Sequence, residues 1–295
     1  GKEALSREVN PEDADAALSE ISALPGASRI NDVLDSRLFE ARATERFTYA
    51  HRAIGEFLGA QWLAKQADTP RKQRRLLDLL NSHALVPANL RGIFAWLAWH
   101  SPALADEVIT ADPMSVLEYG DADSLTVTQG RTLLNALNAL SHENPRFWDW
   151  TEYRAGGLVQ PALLSEVRNA VGNQSTEFGL RLLILRALKG SELISSLREE
   201  LIALLLDNSA AFALRAEASD RLIELEPPTY WPDILRQLLI QASENSARLA
   251  SDLMDKVGYE QFDDALVLDI VMAQLDRSIN TFGHFFRLER NLPLD

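Results

Sequence analysis

Prolines that open helices constrain this chain more than any other feature. Asn10-Pro11, Thr69-Pro70, Ser101-Pro102, Asp112-Pro113, Asn144-Pro145, Gln160-Pro161 and Pro227-Pro228 punctuate the sequence. A polar side chain before the first turn accepts from its free N–H groups, and proline, which has no N–H to satisfy, suits the first helical position. Helices of about 8 to 18 residues, ordinary lengths, are expected from these starts. The pattern predicts an all-α chain beyond residue 66, because no strand-like alternation interrupts it there.

A fainter regularity overlies the punctuation. FGLRLLILRAL at 178–188 returns as FALRAEASDRL at 212–222, a spacing in the range of a helix-pair repeat. Arg181 and Arg215 share one register in them, and NSAR ends at Arg248, one position short of the same spacing. Eight positions upstream of the first two stand Asn173 and Asp207, each expected in the loop before its helix. A loop amide or carboxylate accepts hydrogen bonds from such an arginine, and stacked copies form an internal polar ladder. This loop-Asp, helix-Arg pattern resembles HEAT-type repeats. The resemblance implies a right-handed α-solenoid of HEAT- or armadillo-like helix pairs, which binds through surfaces built by successive helices.

Residues 1–66 read differently. Asn10-Pro11-Glu12-Asp13 predicts a helix running to about Leu24, stopped by Pro25-Gly26. Ser28 caps a second, with Ile30, Val33, Leu34 and Leu38 on one stripe. Then the period changes: LFEA and RFTYA, separated by the polar RATE, predict a small β-hairpin. A helix from His51 follows. Two helices, a hairpin and a return helix is the order at the end of a winged-helix unit, so the domains are expected at 1–66 and 67–295.

Composition narrows the partners. A net charge of −14 argues against a general nucleic-acid binder, since neutralising phosphates needs a basic face. The one dense basic run, RKQRR at 71–75, reads as the solvated first turns of a helix. Residues 92–130 hold six acids and no lysine or arginine, which suits a soluble acidic face or a basic partner. FWDWTEYR crowds Phe147, Trp148, Trp150 and Tyr153 together, as a partner-binding surface or a helix junction would. With no cysteine there is no disulfide and no thiolate chemistry, which fits a reducing compartment and the cytoplasm. No apolar run approaches the roughly 20 residues that span a bilayer, so no membrane partner is expected. Gly1 in place of methionine is expected to mark a processed or excised chain.

Signatures of catalysis are missing from the sequence. It contains no GxxxxGK[ST] loop, no GxGxxG, no HExxH and no GxSxG elbow. His51, His83, His100, His142 and His284 are scattered, none with another histidine three or four residues away. No catalytic residue, metal site or bound cofactor is therefore expected in these residues.

One stretch carries a more specific signal. RFTYAHRAIGEFLGAQWLAK at 46–65 places Phe47, His51, Glu56, Phe57 and Ala60 on an F-x-x-x-H segment leading into H-x-x-x-x-E-[FY]-x-x-A. Leu58, Trp62 and Leu63 continue the apolar ridge. The stretch resembles the end of the regulatory region of NACHT-type STAND ATPases, although Gly55 stands where glutamine is more usual. The resemblance implies that His51 touches the phosphates of bound ADP in the parent protein. It also implies that Glu56 binds the winged-helix backbone or one of its basic residues. ATP or ADP with Mg is then held by a nucleotide-binding domain of the same chain, not by these residues. The expected function is the non-catalytic regulatory and recognition region of a signalling or defence ATPase, its array sensing a protein or other ligand. A free-standing HEAT-like scaffold or adaptor is the alternative, and an unrecognised all-α enzyme a third reading.

Overall fold

The computed structural model describes residues 5–6, 19–20, 33–43, 46–81, 85–144 and 155–277. The chain forms two compact units, residues 1–121 and 122–295. No helix among the described residues is long and apolar enough to cross a membrane.

The first unit begins with four short strands, β1 (Leu5–Ser6), β2 (Ser19–Glu20), β3 (Phe39–Ala43) and β4 (Arg46–Tyr49), ordered β2-β1-β4-β3 in one sheet. The expected hairpin is β3–β4, antiparallel, with Phe39 opposite Tyr49 and Ala41 opposite Phe47. The Phe39 and Tyr49 rings lie 4.9 Å apart, and Phe39 packs on buried Leu34 and Phe47. β1 pairs antiparallel with β4 and parallel with β2. β2 falls inside the span expected to be helical up to Leu24. Pairing with β1 gives its backbone groups partners at once, whereas a short isolated helix must first form a costly nucleus. The remainder of that expected helix lies outside the described residues.

Val33 and Leu34 are helical, within the stripe expected after Ser28, and five further helices follow: α1 (Arg52–Gln66), α2 (Pro70–Leu80), α3 (Arg91–His100), α4 (Pro102–Ala111) and α5 (Pro113–Tyr119). Three of them start at the prolines that the sequence marks. Thr69 Oγ1 accepts from Lys72 N at 3.4 Å, and Asp112 Oδ1 from Ser115 N at 3.0 Å. α3 is the hub, packed against α1, α4 and α5, with Phe94 and Leu97 fully buried. α1 packs along α3 within the first compact unit.

The second unit is helical throughout its described residues. α6 (Val127–Glu143) opens on a capping box between Thr126 and Gln129. Then follow α7 (Leu164–Gly172), α8 (Phe178–Ala187), the short α9 (Leu193–Ser196), α10 (Arg198–Leu206) and α11 (Phe212–Ile223). α12 (Trp231–Ile240), α13 (Glu244–Val257) and α14 (Asp264–Arg277) end it. Gln160-Pro161 and Pro227-Pro228 open their helices through a 3-10 turn, Pro161–Leu163 before α7 and Pro228–Tyr230 before α12. The Asn144-Pro145 mark follows the end of α6, and Pro145 lies outside the described residues.

Packing in this unit follows two rules. Helices touch their partners along the chain: α7 on α8, α10 on α11, α12 on α13, α13 on α14. They also stack on the equivalent helix of the next pair, α6 on α8, α8 on α11 and α11 on α13 in one row, α7 on α10 and α12 on α14 in the other. Leu163, Val167, Leu201, Leu205, Leu235 and Leu238 are fully buried between the rows, each such side chain contributing about 1.5–3 kcal/mol.

Candidate functional site

Of the motif residues, Glu56 and Phe57 lie where α1 packs on α3. His51 is the N-cap of α1, extended at φ −130° and ψ 134°, exposed, and without a side-chain hydrogen bond to the helix. Phe47 enters the small core beneath the hairpin, and Ala60 is fully buried. Phe57 meets Trp96 edge-on at 5.0 Å and the His100 ring at 4.4 Å. Leu58 and Trp62 are 38% and 60% exposed, so the ridge expected from the sequence splits between packed and open faces.

Glu56 is buried, and its carboxylate is engaged by other residues than His51. Its carboxylate accepts from Arg52 Nε at 2.6 Å, while Arg52 Nη2 donates to Asn89 O at 3.1 Å. That carboxylate occupies the space a side chain on Gly92 would need: a Cβ there would lie 2.1 Å from Glu56 Oε2. Gly92 is in the first turn of α3, where the positive helix end favours an anion. Gly55 has a matching cause, since a Cβ would meet the Tyr49 ring at 2.6 Å. Two glycines therefore let the hairpin, α1 and α3 close on one another.

His100, on the same junction, has its pKa pushed down by burial, against a backbone hydrogen bond at Phe57 that pulls it up and with Lys65 adding to the depression. Its Nε2 and the Trp96 Nε1 are buried without a hydrogen-bond partner among the described residues.

The repeat residues lie in the second unit. Arg215 is fully buried and donates from Nε to Leu205 O at 2.9 Å and from Nη2 to Gln241 Oε1 at 2.8 Å and Ser246 Oγ at 3.0 Å. Arg181, 7% exposed, donates from Nη2 to Val171 O at 2.7 Å. Both reach a carbonyl ten residues back, in the last turn of the preceding helix. Asn173 and Asp207 cap those same helices, and each accepts from the backbone N–H two residues on, at 2.9 Å. The ladder thus differs from the expected direct bond between arginine and loop residue. The guanidinium takes the helix-end carbonyl, which has no intrahelical donor, and Asp207 acts on both arginines through its charge alone. Gln174 Nε2 joins the repeats by donating to Asp207 Oδ2 at 3.3 Å. Arg248 stands outside this ladder: it is exposed, 4.0 Å from Asp252 and 4.3 Å from the Phe212 ring centroid. Its place one position short of the repeat turns it to the outer face, and Leu249, in register with Arg215, takes the buried place.

Sequence reasoning missed two features here. Ion pairs tie successive helices at intervals near one repeat: Arg131–Glu166 at 2.7 Å, Arg168–Glu200 at 2.8 Å, Arg186–Glu217 at 2.9 Å, and Arg198–Glu226. The Ser165 hydroxyl and Arg131 hold the Glu166 carboxyl down at about 2. The second is a groove of about 140 Å³ lined by Asn135 and Asn138 of α6, Glu166 and Asn169 of α7, and Thr176, over a floor that includes Leu180. Its residues are scattered through three helices, so no local motif marks it.

Trp148, Trp150, Tyr153, His83 and His284 lie outside the described residues. Among the described residues no group of three or more His, Cys, Asp or Glu is placed to hold a metal ion. Comparisons with protein-family models, curated proteins and solved structures find no match to this chain.

Three outcomes follow from these contacts. Arg215→Met strands the Gln241 and Leu205 acceptors and lowers unfolding free energy by about 3 kcal/mol, against under about 0.5 kcal/mol for Arg248→Met at the surface; urea titration of both variants checks this. Gly92→Ala expels the Glu56 carboxylate from its place, but in a Glu56→Ala background the same change is neutral or stabilising, with a coupling of about 1 kcal/mol in a double-mutant cycle. His100 has a depressed pKa, so its share of stability is present above the ordinary value of 6.5 and is lost as pH falls below it. Thermal unfolding at successive pH values should show that loss in the parent and a shallower one in His100→Phe.

Proposed function

We propose that this chain is the regulatory and recognition region of a NACHT-type STAND ATPase of the signalling or defence class. A winged-helix-like unit, of which β3, β4 and α1 form the end, precedes a right-handed HEAT-like α-solenoid. The observation that carries the array reading is the two-row helix stacking together with the matched register of Arg181 and Arg215. Such an array grows by repetition and recognises partners through surfaces spread over successive helices.

The regulatory part rests on the motif residues. His51, exposed at the start of α1, is free to donate to a phosphate oxygen of ADP held by the nucleotide-binding domain of the parent chain. Glu56 serves this indirectly: locked between Arg52 and Gly92, it fixes α1 against α3, so that movement of α3 reaches His51. A ligand or protein bound to the array then biases the winged-helix-like unit between two arrangements, by as much as its affinity for them differs. ATP or ADP with Mg acts on the parent protein.

Calorimetric titration of the chain with MgATP and with ADP tests this division of labour. No binding is expected below about 1 mM, because no P-loop is present in the sequence. Micromolar affinity would overturn the reading.

A further inference from the structure

The cations of this chain are unevenly spent. From Arg91 to Arg248 every described arginine is engaged, by a carboxylate or, at Arg181 and Arg215, by buried carbonyl and amide groups. On α2 the position is reversed. Arg71, Arg74 and Arg75 are exposed, and none makes an ion pair or a side-chain hydrogen bond among the described residues. Lys65, at the end of α1, is likewise exposed and unpaired among them. Lys72 is held by Asp68 at 2.7 Å. Asp78, one turn beyond Arg74 and Arg75, pairs with neither.

The same helix face is not purely polar. Leu76, Leu77 and Leu80 of α2 are buried, but Leu79 points outward and is 70% exposed. The adjoining α1 exposes Trp62 at 60% and Leu58 at 38%. Three free guanidinium groups on the same helix as the exposed Leu79 combine the residue types that protein interfaces use at their centres. The chain as a whole carries a net charge of −14, and α2 holds its densest basic run, so attraction for an acidic ligand is strongest there.

The geometry points to α2 as a docking face for an acidic segment of a polypeptide, with carboxylates on Arg71, Arg74 and Arg75 and an apolar side chain on Leu79. Two properties select a polypeptide over nucleic acid. Eleven residues make a helix about 16 Å long, which meets only a few phosphates of a duplex before the polyanion runs past it. Residues 92–121 of the same unit offer no lysine or arginine to continue the contact. Phosphates also leave Leu79 uncovered, whereas a peptide brings its own apolar groups. The proposal goes beyond the array reading and does not depend on it, since it rests on the unpaired arginines of α2 and not on the repeat register.

Fluorescence anisotropy with a labelled peptide of about ten residues, built of Glu and Asp with two leucines, tests it. Binding is expected at low salt and should weaken about tenfold between about 50 and 200 mM. The triple change Arg71→Glu, Arg74→Glu and Arg75→Glu should abolish it with an unaltered thermal melt, the triple change to Lys should retain most of it, and Leu79→Ala should weaken it several-fold. Absence of binding at low salt, or equal binding by the charge-reversed variant, would sink the proposal. So would tighter binding of a short DNA duplex or of phosphatidylserine vesicles than of the peptide.

Discussion

Burial of a positive charge at the end of a helix is the constraint on which the second unit depends. A guanidinium removed from water costs several kcal/mol unless its donors are met, and Arg215 meets them with acceptors from three places in the chain: Leu205 O, Gln241 and Ser246. Each of those acceptors belongs to a different turn or helix end, so the bonds form only when neighbouring pairs are in register. Arg181 repeats the helix-end bond one pair earlier, to Val171 O, while its Nε is buried without a partner among the described residues. The leucine rows between the helices supply most of the burial, but they are non-directional. Register comes from the arginines, and from the ion pairs that stitch Arg131, Arg168, Arg186 and Arg198 to the next helix.

Close approach plays the same part in the first unit. Gly55 admits the Tyr49 ring, and Gly92 admits the Glu56 carboxylate. The hairpin, α1 and α3 are thereby held as a block whose exposed end is His51. A side chain at either glycine would separate the elements that set this histidine's place. The motif residues are thus mainly devices for packing α1, and only His51 is left facing solvent. Charge is segregated by the same logic: arginines that stitch helices have their partners within the fold, while those at the start of α2 have none among the described residues and remain available.

Much of the architecture is written locally. Thr69-Pro70, Ser101-Pro102 and Asp112-Pro113 mark helix starts because capping and the missing proline N–H act within one turn. The hairpin at Phe39–Tyr49 is legible for a similar reason, alternation between β-prone residues over a few positions. Expectations fail where a distant partner intervenes. β2 takes residues assigned to a helix because β1 offers hydrogen bonds that no local propensity foretells. Arg248 leaves the ladder because a single step in spacing rotates a side chain by about 100° around a helix.

The candidate sites divide in the same way. The sequence by itself determined the helical string, the hairpin, the acidic balance and the shared register of Arg181 and Arg215, all of which depend on spacing along one chain. Only the tertiary structure decided that those arginines bind helix-end carbonyls rather than Asn173 and Asp207. It alone buried Glu56 against Gly92 and gathered Asn135, Asn138 and Asn169 around one groove. It also left Arg71, Arg74 and Arg75 without partners among the described residues. Each of these is a matter of which groups meet across helices, and burial and pairing between distant residues carry no signal in any single segment.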